Sequence, residues 1–170
     1  MRIIGPPSGA YDTVRDNLTP AGAAPLFVNQ MFPALWTEAV RYGIDPVGVV
    51  AQSLKETGGG KFAGKVKADF CNPCGLKVRV QSMLPELAGD QPLAHQIFPN
   101  WDVGARAHVQ HLRAYAGWPI EAPDIVVDPR YVYVLGNWCE SFEDLSGKWA
   151  PAADYGTSLV AIARRLQGGS

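Results

Sequence analysis

A basic surplus, long apolar runs and an even set of cysteines are all missing from this 170-residue chain. Lysine and arginine number 15 against 16 acidic residues, a net charge of −1, so the basic footprint of a nucleic-acid binder is absent. No apolar run approaches about 20 residues, which excludes a transmembrane helix and membrane insertion through one. The opening Met1-Arg2-Ile3-Ile4-Gly5-Pro6-Pro7 lacks the apolar segment of a secretory signal. Work outside the cell would then need another export route or a carrier particle. Three cysteines, Cys71, Cys74 and Cys139, cannot all pair within one chain. Cys71-Asn72-Pro73-Cys74 has zinc-like spacing, and Cys139 with His95 would complete four ligands, but a second C-x-x-C is missing. Buried free thiols or a local Cys71–Cys74 disulfide are the simpler readings, and neither a metal nor a cofactor is expected. His108 and His111 share a helical face without the H-E-x-x-H pattern, so they read as surface or core-edge histidines.

What is present describes one globular domain, with 47% hydrophobic and 18% charged residues. Residues 1–24 carry Gly5, Pro6, Pro7, Gly9, Pro20 and Gly22 and read as an extended arm. Such an arm would pack on the domain or reach a neighbouring phage or cell-wall module. Residues 25–42 repeat apolar side chains at helical spacing, with Pro33 either starting the helix or kinking it and Gly43 closing it. Asp45-Pro46 opens a second helix with a capping aspartate and a first-turn proline. Between residues 61 and 80, Lys61, Lys65, Lys67, Lys77 and Arg79 alternate with Phe62, Val66, Phe70, Val78 and Val80. That period of two predicts short strands or a hairpin, whose basic and aromatic side chains line a groove or form a solvated face. Pro85, Pro92 and Pro99 leave room only for a short helix near residues 84–88. Asp102 is placed to cap a helix over 103–116, Asp128-Pro129 to start a short one, and residues 158–166 to form the last, with Leu159, Ile162 and Leu166 inward.

The second helix carries the chemistry. Val47, Val50, Ala51 and Leu54 form its core stripe, while Val49, Ser53 and Glu56 follow a flanking stripe at spacings of four and three. Gly58-Gly59-Gly60 then stops it, since each glycine disfavours helix by about 1 kcal/mol relative to alanine. Glu56 therefore lies in the last turn, where the helix dipole disfavours negative charge, beside a flexible loop. Apolar packing there would raise its pKa and keep the acid protonated, as glycosidic cleavage requires. From spacing alone, Glu56 is equally well a solvated surface glutamate.

Four ordered blocks carry a resemblance to a known family. They are Ala51-Gln52-Ser53-Leu54-Lys55-Glu56-Thr57-Gly58, Asn72-Pro73-Cys74-Gly75-Leu76-Lys77, Asp102-Val103-Gly104-Ala105-Arg106-Ala107-His108-Val109-Gln110-His111-Leu112, and Leu145-Ser146-Gly147-Lys148-Trp149-Ala150 leading to Tyr155. Over residues 25–168 the chain resembles the glucosaminidase family of bacterial cell-wall hydrolases, family 73 of the glycoside hydrolases, in its phage and Gram-positive form. The resemblance implies a mainly α, lysozyme-like domain over 25–170 with a small β-hairpin lobe beside the catalytic cleft. It implies an endo-β-N-acetylglucosaminidase cleaving the β-1,4 bond between N-acetylglucosamine and N-acetylmuramic acid, with peptidoglycan strands as partner and the cell wall as place of action. Glu56 aligns with the general acid and Tyr155 with a tyrosine near the catalytic centre. Asn72 and Gly75 match the block that follows the small β-lobe beside the cleft, Trp149 matches an aromatic of the block before Tyr155, and Trp149 and Phe98 are candidates for sugar stacking or for core. The family's second acidic residue has no clear counterpart: Asp69, Glu86, Glu140, Glu143 and Asp144 are candidates, or the substrate's acetamido group replaces it. The alternatives are a lytic transglycosylase or muramidase on the same polymer, a non-catalytic cell-wall binding module, and a phage structural module.

Overall fold

A computed structural model describes residues 1–79 and 89–169. The fold is built around α3 (Pro46–Glu56), whose residues from Pro46 to Leu54 are all buried. A helix buried on every side is a central one, and α3 packs against α2 (Phe32–Arg41) on one flank and α6 (Tyr155–Leu166) on another. The Asp45 carboxylate accepts from Val47 N at 3.1 Å, capping α3 ahead of a first-turn proline as the sequence predicts. Gly48 lets α3 approach Phe142 closely: a Cβ there would lie 2.1 Å from the ring. A wide π turn, Phe27–Met31, leads into α2, which takes Pro33 in its first turn, so both readings of that proline hold in part.

The segment 1–24 is not extended. It forms α1 (Tyr11–Leu18), which packs on α6, and Ile3, Val14 and Leu18 are completely buried in the main core. Its density of proline and glycine conceals the Val14–Leu18 spacing of four that makes one helical face.

The long helix α4 (Trp101–Tyr115) is capped by Asn100, which accepts from Val103 N at 3.0 Å, rather than by Asp102. Asp102 lies in the first turn, where the helix dipole favours it. A single turn, α5 (Tyr131–Val134), follows the Asp128-Pro129 start, and α6 begins three residues ahead of the expected 158. Its inward residues are Leu159, Ala163 and Leu166, with Ile162 only partly covered.

The chain is thus mainly helical, in agreement with the lysozyme-like domain expected. The β-hairpin lobe does not appear among the described residues. A 3₁₀ turn, Ala68–Phe70, and a bridge of Lys77 to His95 stand in its place, flanked by Val78 N to Ala94 O (2.9 Å) and Gln96 N to Leu76 O (2.8 Å). Among the described residues the alternating stretch 61–79 forms no strand of its own beyond that isolated bridge. The expected short helix at 84–88 and the candidate Glu86 lie outside the described residues.

Candidate active site

Glu56 is the last residue of α3, and the turn after it is held firmly. Thr57 Oγ1 donates to Ser53 O at 2.8 Å and accepts from Gly60 N at 2.9 Å. Gly58, Gly59 and Gly60 have φ of +59°, +72° and +79°, a left-handed run that side chains resist. Added Cβ atoms would come within 2.7 Å of Gly22 O at Gly59 and within 2.9 Å of Phe27 Cβ at Gly60. Ala24 N also donates to Gly59 O at 2.8 Å. The three glycines therefore form a fixed turn clasped against residues 22–27, not the flexible loop their composition predicts.

The turn edges a cleft of about 540 Å³. Glu56 shares its lining with Phe62, Asn72, Gly75, Lys77 and Trp149, among others. Toward the cleft the Glu56 side chain is open, while its carboxylate is closed in from behind. There the Tyr155 hydroxyl donates to Glu56 Oε1, and Tyr155 itself is only 4% exposed. Burial pushes the Glu56 carboxyl above its ordinary value, against the opposing effects of Tyr155, Trp149 and Lys55. Burial, and then the charge of Glu56, push the Tyr155 hydroxyl up as well, so it remains a donor.

A polar chain continues inward. Gln52, one turn before Glu56 on α3, donates from Nε2 to the Tyr155 hydroxyl at 3.0 Å. Gln52 Oε1 lies 2.8 Å from His108 Nε2 on α4. Gln52 and His108 are completely buried, and burial followed by the neighbouring His111 lowers the His108 pKa to about 3, leaving it neutral. Gln52 and His108 were not singled out for this role by the sequence. Their one detectable signal was position: Gln52 at i−4 from Glu56, and His108 within the third block.

Trp149 packs its ring near His108, His111 and Tyr115, with centroids 5.8, 5.1 and 5.7 Å away, and also reaches the cleft. Its sugar-stacking and core readings therefore meet in one residue. Asn72, fully buried, holds the cleft wall together: its Nδ2 donates to Leu76 O and Gln96 O, and its Oδ1 accepts from Leu76 N, all at 2.9 Å. Gly75 follows at φ +70° in the same turn. Phe98 is buried with Cys74, Leu76 and Ala107 and lies behind that wall rather than on it. From the alternating stretch, Phe62, Lys65, Val66 and Lys77 reach the cleft.

Of the candidates for a second carboxylate, Asp69, Glu140, Glu143 and Asp144 do not line the cleft, and Glu86 lies outside the described residues. Asp69 is exposed outside the cleft lining. Glu143 pairs with the Met1 amino group at 2.7 Å, and Asp144 accepts from the Glu140 and Ser141 amides at 3.0 and 2.9 Å. Among the described residues lining the cleft, the other acid is Asp90, missed in the sequence. It is 2.7 Å from Lys77 Nζ, and that hydrogen bond and charge lower its pKa. His95 faces the same lysine at 2.7 Å. All three cysteines are free thiols, Cys74 and Cys139 lie in different core clusters, and no group of three or more metal-ligating side chains forms among the described residues.

No protein-family model matches the chain. A protein of Borreliella burgdorferi, described only as uncharacterized, is 30% identical over 140 residues, which cover 82% of this chain and 63% of that protein. The chain thus spans less than two thirds of that relative's length. The catalytic domain of the autolysin Auto from Listeria monocytogenes superposes with a TM-score of 0.51 at 15% identity, over 96% of this chain and 99% of that one. At that identity the likeness is one of fold: this helical architecture is shared with an autolysin catalytic domain.

Proposed function

We propose that the protein is a peptidoglycan hydrolase that cleaves the β-1,4 bond between N-acetylglucosamine and N-acetylmuramic acid, with Glu56 as general acid. The observation that carries this reading is a carboxyl with raised pKa at the end of a buried helix, open to a groove and backed by a buried tyrosine. Such a group keeps its proton to higher pH than a free carboxyl does and gives it to a leaving glycosidic oxygen as positive charge develops on the sugar. The fold shared with an autolysin catalytic domain and the four ordered sequence blocks support the substrate class. In this reading Trp149 offers an aromatic face to a sugar ring, and Asn72 and Gly75 shape the wall opposite. The glycan strand of the cell wall is the partner.

A second reading is favoured by one feature. Among the described residues the other cleft acid, Asp90, is engaged by Lys77 and mostly exposed. Glycosidases using two carboxylates hold them about 5–5.5 Å apart when retaining and about 6.5–9.5 Å apart when inverting. An acid working without a second protein carboxylate fits catalysis by the substrate's acetamido group, or a lytic transglycosylase in which a muramic hydroxyl attacks. Glu56→Gln preserves shape and removes the proton. It should abolish clearing of cell-wall suspensions, and clearing near the wild-type rate would sink the proposal. Mass spectrometry of the released fragments then separates reducing N-acetylglucosamine ends from 1,6-anhydromuramic ends.

A further inference from the structure

The buried chain His108–Gln52–Tyr155–Glu56 has a direction, and the direction bears on which oxygen of the acid carries the proton. Each link can be assigned by its donors. Gln52 Nε2 is an N–H donor, so the Tyr155 oxygen accepts from it and spends its single proton on Glu56 Oε1. Gln52 Oε1 can only accept, so neutral His108 must donate from Nε2. His108 Nδ1 is then a bare lone pair, and it is a buried side-chain atom without a hydrogen-bond partner.

Reversing the chain would require every link to turn over. Protonated Glu56 would donate to Tyr155, Tyr155 to Gln52 Oε1, and Gln52 Nε2 to His108 Nε2. His108 would then carry its proton on Nδ1, where the structure offers no acceptor. A buried donor without an acceptor is rarer and less favourable than an unused acceptor lone pair. The unpartnered Nδ1 therefore opposes the reversed arrangement.

We propose that Gln52 and His108 are positioning residues that fix this chain's polarity and so keep the acid proton of Glu56 on Oε2, the oxygen Tyr155 does not contact. The inference rests on the reading of Glu56 as a general acid and deepens it. A proton held on Oε1 would face a buried tyrosine and be lost to the substrate, whereas on Oε2 it is available for transfer. Glu56 is faced by Lys55 from its own helix, by Tyr155 from α6, and by the Trp149 indole and Cys74 thiol from the loops. His108 is faced by His111 from its own helix, Gln52 from α3 and Trp149 from the loop before α6.

Nitrogen-15 spectra of histidine-labelled wild-type protein read the tautomer directly and need no substitution. His108 should carry its proton on Nε2 from pH 8 to pH 5, and a proton on Nδ1 would overturn the proposal. Gln52→Met removes both hydrogen bonds at similar volume. It should lower kcat on purified peptidoglycan by about tenfold or more, the scale of a mispositioned general acid, with KM within about twofold. The basic limb of its pH–rate profile should move up, because Tyr155 then stabilises the carboxylate less well. Unchanged kcat and profile in Gln52→Met, beside an inactive Glu56→Gln, would overturn the relay alone. An active Glu56→Gln would instead remove the reading on which it rests.

Discussion

Glu56 and His108 pull stability in opposite directions along the pH axis. Glu56 binds its proton more tightly folded than unfolded, so folding loses stability as pH rises from the ordinary carboxylate range through its raised folded pKa. His108 titrates near 6.5 when unfolded and about 3 when folded. Its contribution is complete above the unfolded value and lost as pH falls through that window, at up to about 1.4 kcal/mol per pH unit. Thermal melts between pH 4 and 8 should therefore show Glu56→Gln at least as stable as wild type at pH 8, the difference closing toward pH 4. Both proteins should lose stability on the acid side. A Glu56→Gln variant clearly less stable at pH 8 would mean that its ionised carboxylate holds the fold together. The candidacy of Glu56 was legible because a helix stop follows it. Its tyrosine contact was not, since 99 residues separate the two and only the packing of α6 on α3 joins them.

At the level of elements, the helices were read more accurately than the turns between them. Helical periodicity is local, so α2, α3, α4 and α6 could be placed from the spacing of their own apolar residues. The glycine turn was misjudged because composition reports freedom, whereas the neighbours at residues 22–27 remove it. This gives an ordered prediction. Gly58→Ala meets no neighbouring atom and should lose only the cost of a left-handed alanine, about 1–2 kcal/mol. Gly59→Ala and Gly60→Ala add backbone and Phe27 clashes and should lose distinctly more. Urea titrations of the three variants would show equal losses if the turn were free to rearrange. The hairpin does not appear among the described residues for a related reason: period-two alternation is a local pattern that does not specify a pairing partner, and here Phe62 and Val66 reach the cleft beside Lys65 and Lys77.

Across the whole molecule, the boundary at residue 24 matters most. Ile3, Val14 and Leu18 fill the same core as α3, and replacing one large core side chain by alanine commonly costs about 2–5 kcal/mol. A chain lacking residues 1–24 should therefore lose its cooperative thermal transition in circular dichroism. A sharp transition at the wild-type temperature would restore the view of that segment as an appendage. Proline and glycine counts did not betray this role, because three apolar residues are enough when all three are fully covered.

The clasp between Ala24 and Gly59 links that boundary to the chemistry. A backbone hydrogen bond of 2.8 Å joins the segment leading from α1 into α2 to the turn that ends α3. The rim of the groove and the N-terminal segment are therefore physically joined, and opening one strains the other. A protease that nicks the loop between α1 and the π turn would loosen the rim as well, and under the proposed function would slow cleavage without touching any residue that lines the groove.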